Sequence, residues 1–347
     1  MRSRAMGLAV ASATAALVVT GSPTVHAAGG DSRPAVEAAV WVTTVDQTEL
    51  LHQRPSVTFG TGTSANPTIV VDPEQTYQTM DGFGASITDS SASVLSGLTP
   101  SVRETTMRKL FDPVSGISVS FLRQPVGSSD FTASPTHYTY DDVPAGQTDF
   151  PLAHFSIGHD EAQILPLLRQ AKALNPHITV MATPWSPPAW MKTTGSLIGG
   201  RLKDEPAIYQ AYARYLVKFV KAYAAAGVPI DLISVQNEPQ NRTPNGYPGT
   251  DMPVRQEVKV IEALGPMLQE ASPRTKILAY DHNWSTHPND VAATPPGESP
   301  ETDYPYEILD SAAAKWVAGT AYHCYSGDPS AQTALHNAYP DKGIWFT

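Results

Sequence analysis

Ile230-Asp231-Leu232-Ile233-Ser234-Val235-Gln236-Asn237-Glu238-Pro239 runs an apolar segment into a carboxylate and stops at a proline. A short apolar run that ends at a helix-breaking residue reads as a buried strand. The segment before it, 206–226, places Ile208, Tyr212, Tyr215, Leu216, Phe219 and Tyr223 at spacings of three and four, the pattern of an amphipathic helix. Residues 159–175 repeat that pattern through Ile164, Leu167, Leu168 and Ala171. Working outward, further strands are expected at 82–87, 117–126, 178–185, 276–284, 317–325 and 343–347, and further helices at 100–111, 254–271, 306–315 and 329–338. Strands that alternate with helices pair in parallel through crossover connections.

Two α/β architectures satisfy that alternation, an open doubly wound sheet and a closed barrel. Gly82-Phe83-Gly84 lies within the first strand and lacks the third glycine of a phosphate-binding turn. Polar and aromatic residues recur at strand C-terminal ends: Arg123, Trp185, Glu238, Asp281 and Tyr325. A barrel gathers those ends at one mouth, where active sites sit. The expected fold is therefore a (β/α)8 TIM barrel, incomplete here with about seven strands, since no eighth strand and helix are read from the chain. Ahead of it, 36–75 alternates polar and apolar residues around Val40-Trp41-Val42, Ser56-Val57-Thr58-Phe59 and Thr68-Ile69-Val70-Val71, the pattern of short antiparallel strands. The expected division is a signal peptide over 1–28, sandwich-type strands over 29–76 and the barrel over 77–347.

The signal peptide is read from Arg2 and Arg4, the apolar stretch 5–20 and the small residues at Val25-His26-Ala27. A disordered Ala-rich tail is the alternative. The stretch is short for a membrane span, so the expectation is a secreted protein without a stable membrane anchor. The net charge of −10 is spread along the 347 residues, which argues against nucleic acid and anionic membrane surfaces as partners. One cysteine, Cys324, cannot close an intrachain disulfide and is expected as a buried small hydrophobe. No HExxH and no Cys/His spacing suggests a metal site.

Glu238 is the candidate for acid–base chemistry: burial at a strand end is expected to raise its pKa toward that of a general acid. Asn237 offers an amide for a sugar hydroxyl. Trp185, between Pro184 and Ser186-Pro187-Pro188, offers a rigid ring for the C–H face of a pyranose, while Trp190 reads as core. Arg123 is a charge in an apolar strand and needs a partner, either a catalytic carboxylate or a structural one. Asp130 could bond sugar hydroxyls or cap a turn, and Tyr325 could serve a carboxylate or pack. Asp281, His282 and Asn283 read as a polar rim or a turn. Cleavage of a glycoside needs a second carboxyl group, about 5–5.5 Å from the first in a retaining enzyme. Asp89, Asp130 and Asp281 are the acids near strand ends, and none follows a strand as Glu238 does.

These residues together resemble glycoside hydrolase family 30, which contains glucosylceramidases and β-1,6-glucanases. The resemblance rests on Gly82-Phe83-Gly84, Thr88-Asp89-Ser90, Arg123-Gln124-Pro125, Asp130-Phe131 and Pro184-Trp185-Ser186-Pro187. It continues through Trp190-Met191-Lys192, Gln236-Asn237-Glu238-Pro239, Gly246-Tyr247-Pro248 and His323-Cys324-Tyr325. It implies a (β/α)8 barrel fused to a β-sandwich and a retaining, cofactor-free hydrolysis of β-glucosides. Glu238 would be the acid/base. Asn237, Asp130 and Trp185 would bind the sugar, with Arg123 and Tyr325 near the nucleophile. That nucleophile would be a glutamate directly after Ile344-Trp345-Phe346-Thr347, and a truncated chain is the expectation that follows. Hydrolysis of xylan, galactan or fucosides on the same fold, or a non-catalytic carbohydrate-binding fragment, are the alternative functions.

Overall fold

The computed structural model describes residues 36–60 and 65–347, so the expected signal peptide over 1–28 lies outside the described residues. The chain divides into two units at Tyr77/Gln78. In the first, β1 (Glu37–Val42) pairs antiparallel with β2 (His52–Thr58), joined by a polar turn. The third strand expected at 68–71 does not form. Ile69, Val70 and Val71 are exposed and have no ladder partner among the described residues, and β propensity needs such a partner to be expressed.

The second unit carries β3 (Gly84–Ala85), α1 (Asp89–Gly97), α2 (Pro100–Phe111), β4 (Phe121–Pro125), α3 (Gly158–Glu161), α4 (Ile164–Leu174), β5 (Thr179–Thr183), α5 (Pro206–Ala225), β6 (Leu232–Ser234), α6 (Val254–Ala271), β7 (Lys276–Asn283), α7 (Pro288–Ala292), α8 (Tyr304–Leu309), β8 (Val317–His323), α9 (Ser330–Ala338) and β9 (Gly343–Phe346). The seven strands β3 to β9 lie in chain order in one sheet, each parallel to the next. This is the sequential βα progression of a TIM barrel, seen over seven strands. At the first pair the backbones run so close that a Cβ on Gly84 would lie 1.5 Å from the Phe121 carbonyl oxygen, so only glycine fits there.

The expected helix over 159–175 is split into α3 and α4. Pro166 has no N–H for a bond back into the preceding turn, which confines it to the first turn of a new helix. The helix expected over 306–315 likewise breaks into α8 and a 3-10 turn, Ala312–Trp316, where the Ser311 side chain accepts from the Ala313 N–H. α1 and α7 were not anticipated.

Two apolar layers result. The larger lies between sheet and helices. There α5 buries Ile208, Tyr212, Tyr215, Leu216, Phe219 and Tyr223 against the strands. The smaller fills the inner face with Met181, Leu232, Leu278 and Ala321, joined by Phe121, Ala318 and Trp345.

Candidate active site

The inner face follows a two-residue rule. Successive side chains of a strand point to opposite faces. Two residues beyond each inner apolar residue therefore lies another inner residue, one layer nearer the C-terminal mouth. From Phe121, Met181, Leu232, Ala321 and Trp345 this step leads to Arg123, Thr183, Ser234, His323 and Thr347. An apolar floor thus carries a polar ring.

β7 departs from the rule, and the departure builds the site. Two steps from Leu278 stands Tyr280, which instead packs outward in the larger core. The register between β7 and β8 shifts between Tyr280 and His282. Tyr280 and Asp281 both take positive φ, 73° and 55°. Such a bulge re-aims the following side chain. Here it turns Asp281 into the ring. The Glu257 carboxylate of α6 holds the bulge by accepting from the Tyr280 N–H at 2.8 Å.

Asp281 is fully buried and is the hub of the cluster. Its Oδ2 accepts from Arg123 Nη2 at 2.9 Å and from Ser234 Oγ at 2.7 Å. Its Oδ1 accepts from Thr347 Oγ1 at 2.8 Å and lies 3.1 Å from His323 Nε2. Burial alone would raise the Asp281 pKa. The Arg123 charge and the bonds from His323 and Ser234 outweigh it, and hold the group far below the ordinary carboxylate range. Arg123 also donates to Asn237 Oδ1 at 2.7 Å, and its guanidinium sits 4.9 Å from the centre of the Trp185 ring. Arg123 thus pairs with Asp281 and fixes Asn237; it does not contact Glu238. The rim-or-turn reading of Asp281 is corrected, because strand parity, which the bulge reverses, would have turned it away from the mouth.

Glu238 follows β6 with φ 47°, left-handed backbone that a non-glycine residue adopts only where its surroundings enforce it. Its N–H donates to the Asp281 carbonyl at 3.0 Å, and the N–H of Asn237 donates to the Pro184 carbonyl at 2.8 Å. Tyr212 of α5 donates to the Val235 carbonyl at 2.8 Å, which ties the same segment from outside. Oε1 of Glu238 lies 3.1 Å from His323 Nδ1, and Oε2 accepts from Asn241 Nδ2 at 3.0 Å.

The expectation of a raised Glu238 pKa is overturned in this chain. Burial is the largest influence and pushes upward. The His323 bond, the His282 and His323 charges and the Asn241 bond outweigh it, and the pKa falls to about 2. The His323 bond is the largest of the lowering influences; His282 is itself pushed to about 3 by burial, so it carries charge only near the acid pH where Glu238 titrates. His323 is raised: burial opposes its charge, but bonds to Asp281 and Glu238 prevail. With His323 protonated, the inner line Arg123–Asp281–His323–Glu238 alternates in sign.

The remaining expected residues divide between mouth, loop and core. Trp185 is buried, and its carbonyl accepts from Gln236 Nε2 at 2.7 Å. Asp130 is exposed, yet the surrounding protein shields its carboxyl enough to raise the pKa, and Glu238 adds to the rise. Asp89 does not reach the mouth. It anchors the Asp130 loop by accepting from the N–H groups of Ala133 and Ser134 at 2.7 and 2.9 Å. Tyr325 has its ring 6.1 Å from His323 and is exposed. Cys324 is exposed too, contrary to the buried hydrophobe expected, because the chain leaves the sheet just after His323. Trp190 is buried as core, with its N–H donated to Asp141 at 3.0 Å. Sequence reasoning did not single out His323, Ser234 or Asn241. The two-residue step from the apolar floor would have found the first two. Among the described residues no group of three or more His, Cys, Asp or Glu side chains is placed to hold a metal ion.

A βα barrel with a carboxylate, an amide, an aromatic ring and a buried ion network at its C-terminal mouth is the frame on which glycoside hydrolases are built. The chain belongs to glycosyl hydrolase family 30, whose TIM-barrel domain matches residues 80–347. It is 34% identical over 325 residues to the endo-1,6-β-D-glucanase of Neurospora crassa, covering 90% of this chain and 63% of that protein. It is 32% identical over 265 residues to the lysosomal acid glucosylceramidase of Mus musculus, covering 74% of this chain and 48% of that protein. Among solved structures, the endo-β1,6-glucanase BT3312 superposes with a TM-score of 0.75 at 33% identity, over 89% of this chain and 64% of that one. The chain thus spans about half to two thirds of the length of these relatives.

Proposed function

We propose that this protein is a secreted retaining glycoside hydrolase that cleaves β-glucosidic bonds, with β-1,6-glucan as the favoured substrate and Glu238 as acid/base. One observation carries the reading. Glu238 stands at the mouth with each carboxyl oxygen held by a different side chain, beside Asn237, which Arg123 links to the Trp185 ring, and close enough to Asp130 to raise its pKa. Relatives named as endo-1,6-β-glucanases support the choice of linkage.

Asn237, fixed by Arg123, would bond the sugar at the cleavage point, Trp185 would stack on its ring, and Asp130 would bond its hydroxyls. Double displacement needs a nucleophilic carboxylate on the opposite side of the scissile bond. The family resemblance assigns it to the position after Thr347, and Thr347 is already bonded to Asp281. A second anion about 5–5.5 Å away would raise the Glu238 pKa from its low value, since two neighbouring carboxylates resist joint ionisation. Formation of the glycosyl-enzyme would discharge that anion and let Glu238 fall back to act as base. Export rests on the N-terminal sequence pattern.

The test takes the longest form that the gene encodes, with aryl β-glucoside and β-1,6-glucan as substrates. NMR of the first-formed product should show the β anomer; an α anomer would refute retention. Glu238→Gln should slow glucan cleavage by about 10²–10⁴-fold and spare the first step on substrates with activated leaving groups. Equal loss on both would sink the acid/base assignment.

A further inference from the structure

A carboxyl group turns easily about its last side-chain torsion, which has a broad profile. One hydrogen bond leaves it free to swing; bonds to both oxygens fix its plane. His323 serves Oε1 of Glu238, and its position follows from the strand β8. The partner of Oε2 is Asn241, which has no such support from the sheet. A local turn brings it there: the Asn241 N–H donates to the Glu238 carbonyl at 2.9 Å, across Pro239. The same Asn241 amide donates to Oε2 of Glu238 and to the Tyr247 hydroxyl oxygen, each at 3.0 Å. The flipped amide would set an oxygen against the carboxylate, so charge dictates its orientation. Tyr247 is in turn placed by Gly246, which has φ 79° and whose carbonyl lies 3.0 Å from His137 Nε2.

We propose that Asn241, oriented by Tyr247, is a positioning residue that fixes the plane of the Glu238 carboxyl, so that the proton it gives and takes is presented in one direction. The inference deepens the acid/base reading and rests on it. Asn241 offers only N–H groups to Glu238, so it favours the ionised form, in line with its part in lowering the Glu238 pKa.

The test has one arm that needs no turnover. The Glu238 carboxyl is titrated by carbon-13 NMR in this chain, its signal assigned with Glu238→Gln. Asn241→Leu should raise the midpoint by about one pH unit. Asn241→Asp should raise it further through the added charge, and Tyr247→Phe should raise it less than Asn241→Leu. Tyr247→Phe keeps the ring and serves if Asn241→Leu does not fold. In the active form, Asn241→Leu should shift the pH–rate profile and slow poor leaving groups more than activated ones, with partial rescue by Asn241→Gln. A flat leaving-group response to Glu238→Gln would overturn the acid/base reading itself. A normal response there, with the midpoint unmoved in both Asn241→Leu and Tyr247→Phe, would overturn this inference alone.

Discussion

Replacing Asp281 by Asn tests whether the ion network organises the mouth. The substitution keeps the shape and removes one charge. Asp281 accepts four contacts, two on each oxygen. The new amide nitrogen would face donors wherever it sits, either Arg123 and Ser234 or His323 and Thr347. Arg123, with 17% of its side chain exposed, would lose its one ion-pair partner among the described residues. Removing one member of a buried pair costs about 3–5 kcal/mol, because the other charge is left uncompensated. Against a total stability of about 5–15 kcal/mol, urea unfolding at pH 7 should register a large drop in midpoint at unchanged slope. The pH dependence has a defined sign. Asp281 has a folded pKa depressed below its ordinary 3.8. Its contribution is therefore fully present above about pH 4 and is lost progressively as pH falls from there to the folded value. Between pH 5 and pH 3 the gap between wild type and variant should shrink, while between pH 7 and 5 His323, whose pKa Asp281 raises, also contributes to it. The double replacement Arg123→Leu/Asp281→Leu should recover part of the loss, since an apolar pair leaves no orphaned charge. A cost of under about 1 kcal/mol for Asp281→Asn, or a gap that widens between pH 5 and pH 3, would refute the reasoning.

Lys192 is buried with only neutral partners, Ser186 Oγ and the Leu197 and Gly249 carbonyls at 2.7–3.1 Å, and burial lowers its pKa to about 7. A depressed lysine makes stability rise with pH between that value and its ordinary 10.5; Lys192→Met should remove this rise in urea titrations and unmoor the loop after Trp185. Glu257 is raised by burial from 4.5 to about 7, so it makes stability fall as pH climbs through that window. Glu257→Gln keeps an acceptor for the Tyr280 N–H and should gain as much as about 3 kcal/mol above pH 7 while gaining nothing at pH 4. Cys324 should react fully with a thiol reagent in the folded protein; protection until denaturant is added would contradict its exposure.

Local sequence pattern specifies the order of elements and the address of the acid. Apolar runs spaced by amphipathic helices specify parallel strands in chain order, because period and crossover length act locally. The same rule placed Trp185 and Glu238 just beyond strand ends, as found, whereas Arg123 lies in the middle of β4. What local pattern lacked was anything set by contacts distant in the chain. Residues 68–71 have strand composition, but pairing decides whether a strand forms. Pro166 split a continuous apolar pattern into two helices. The bulge at Tyr280–Asp281 inverted the facing of one strand, so the most buried acid of the site read as a rim residue. Most consequentially, burial of Glu238 suggested a raised pKa, and the structure lowers it. The sign depends on His323, 85 residues away in the chain, and on Asn241 across a turn. Desolvation can be guessed from a strand's hydrophobicity. The charges and donors that oppose it come from other strands, and only the tertiary structure brings them within hydrogen-bond reach.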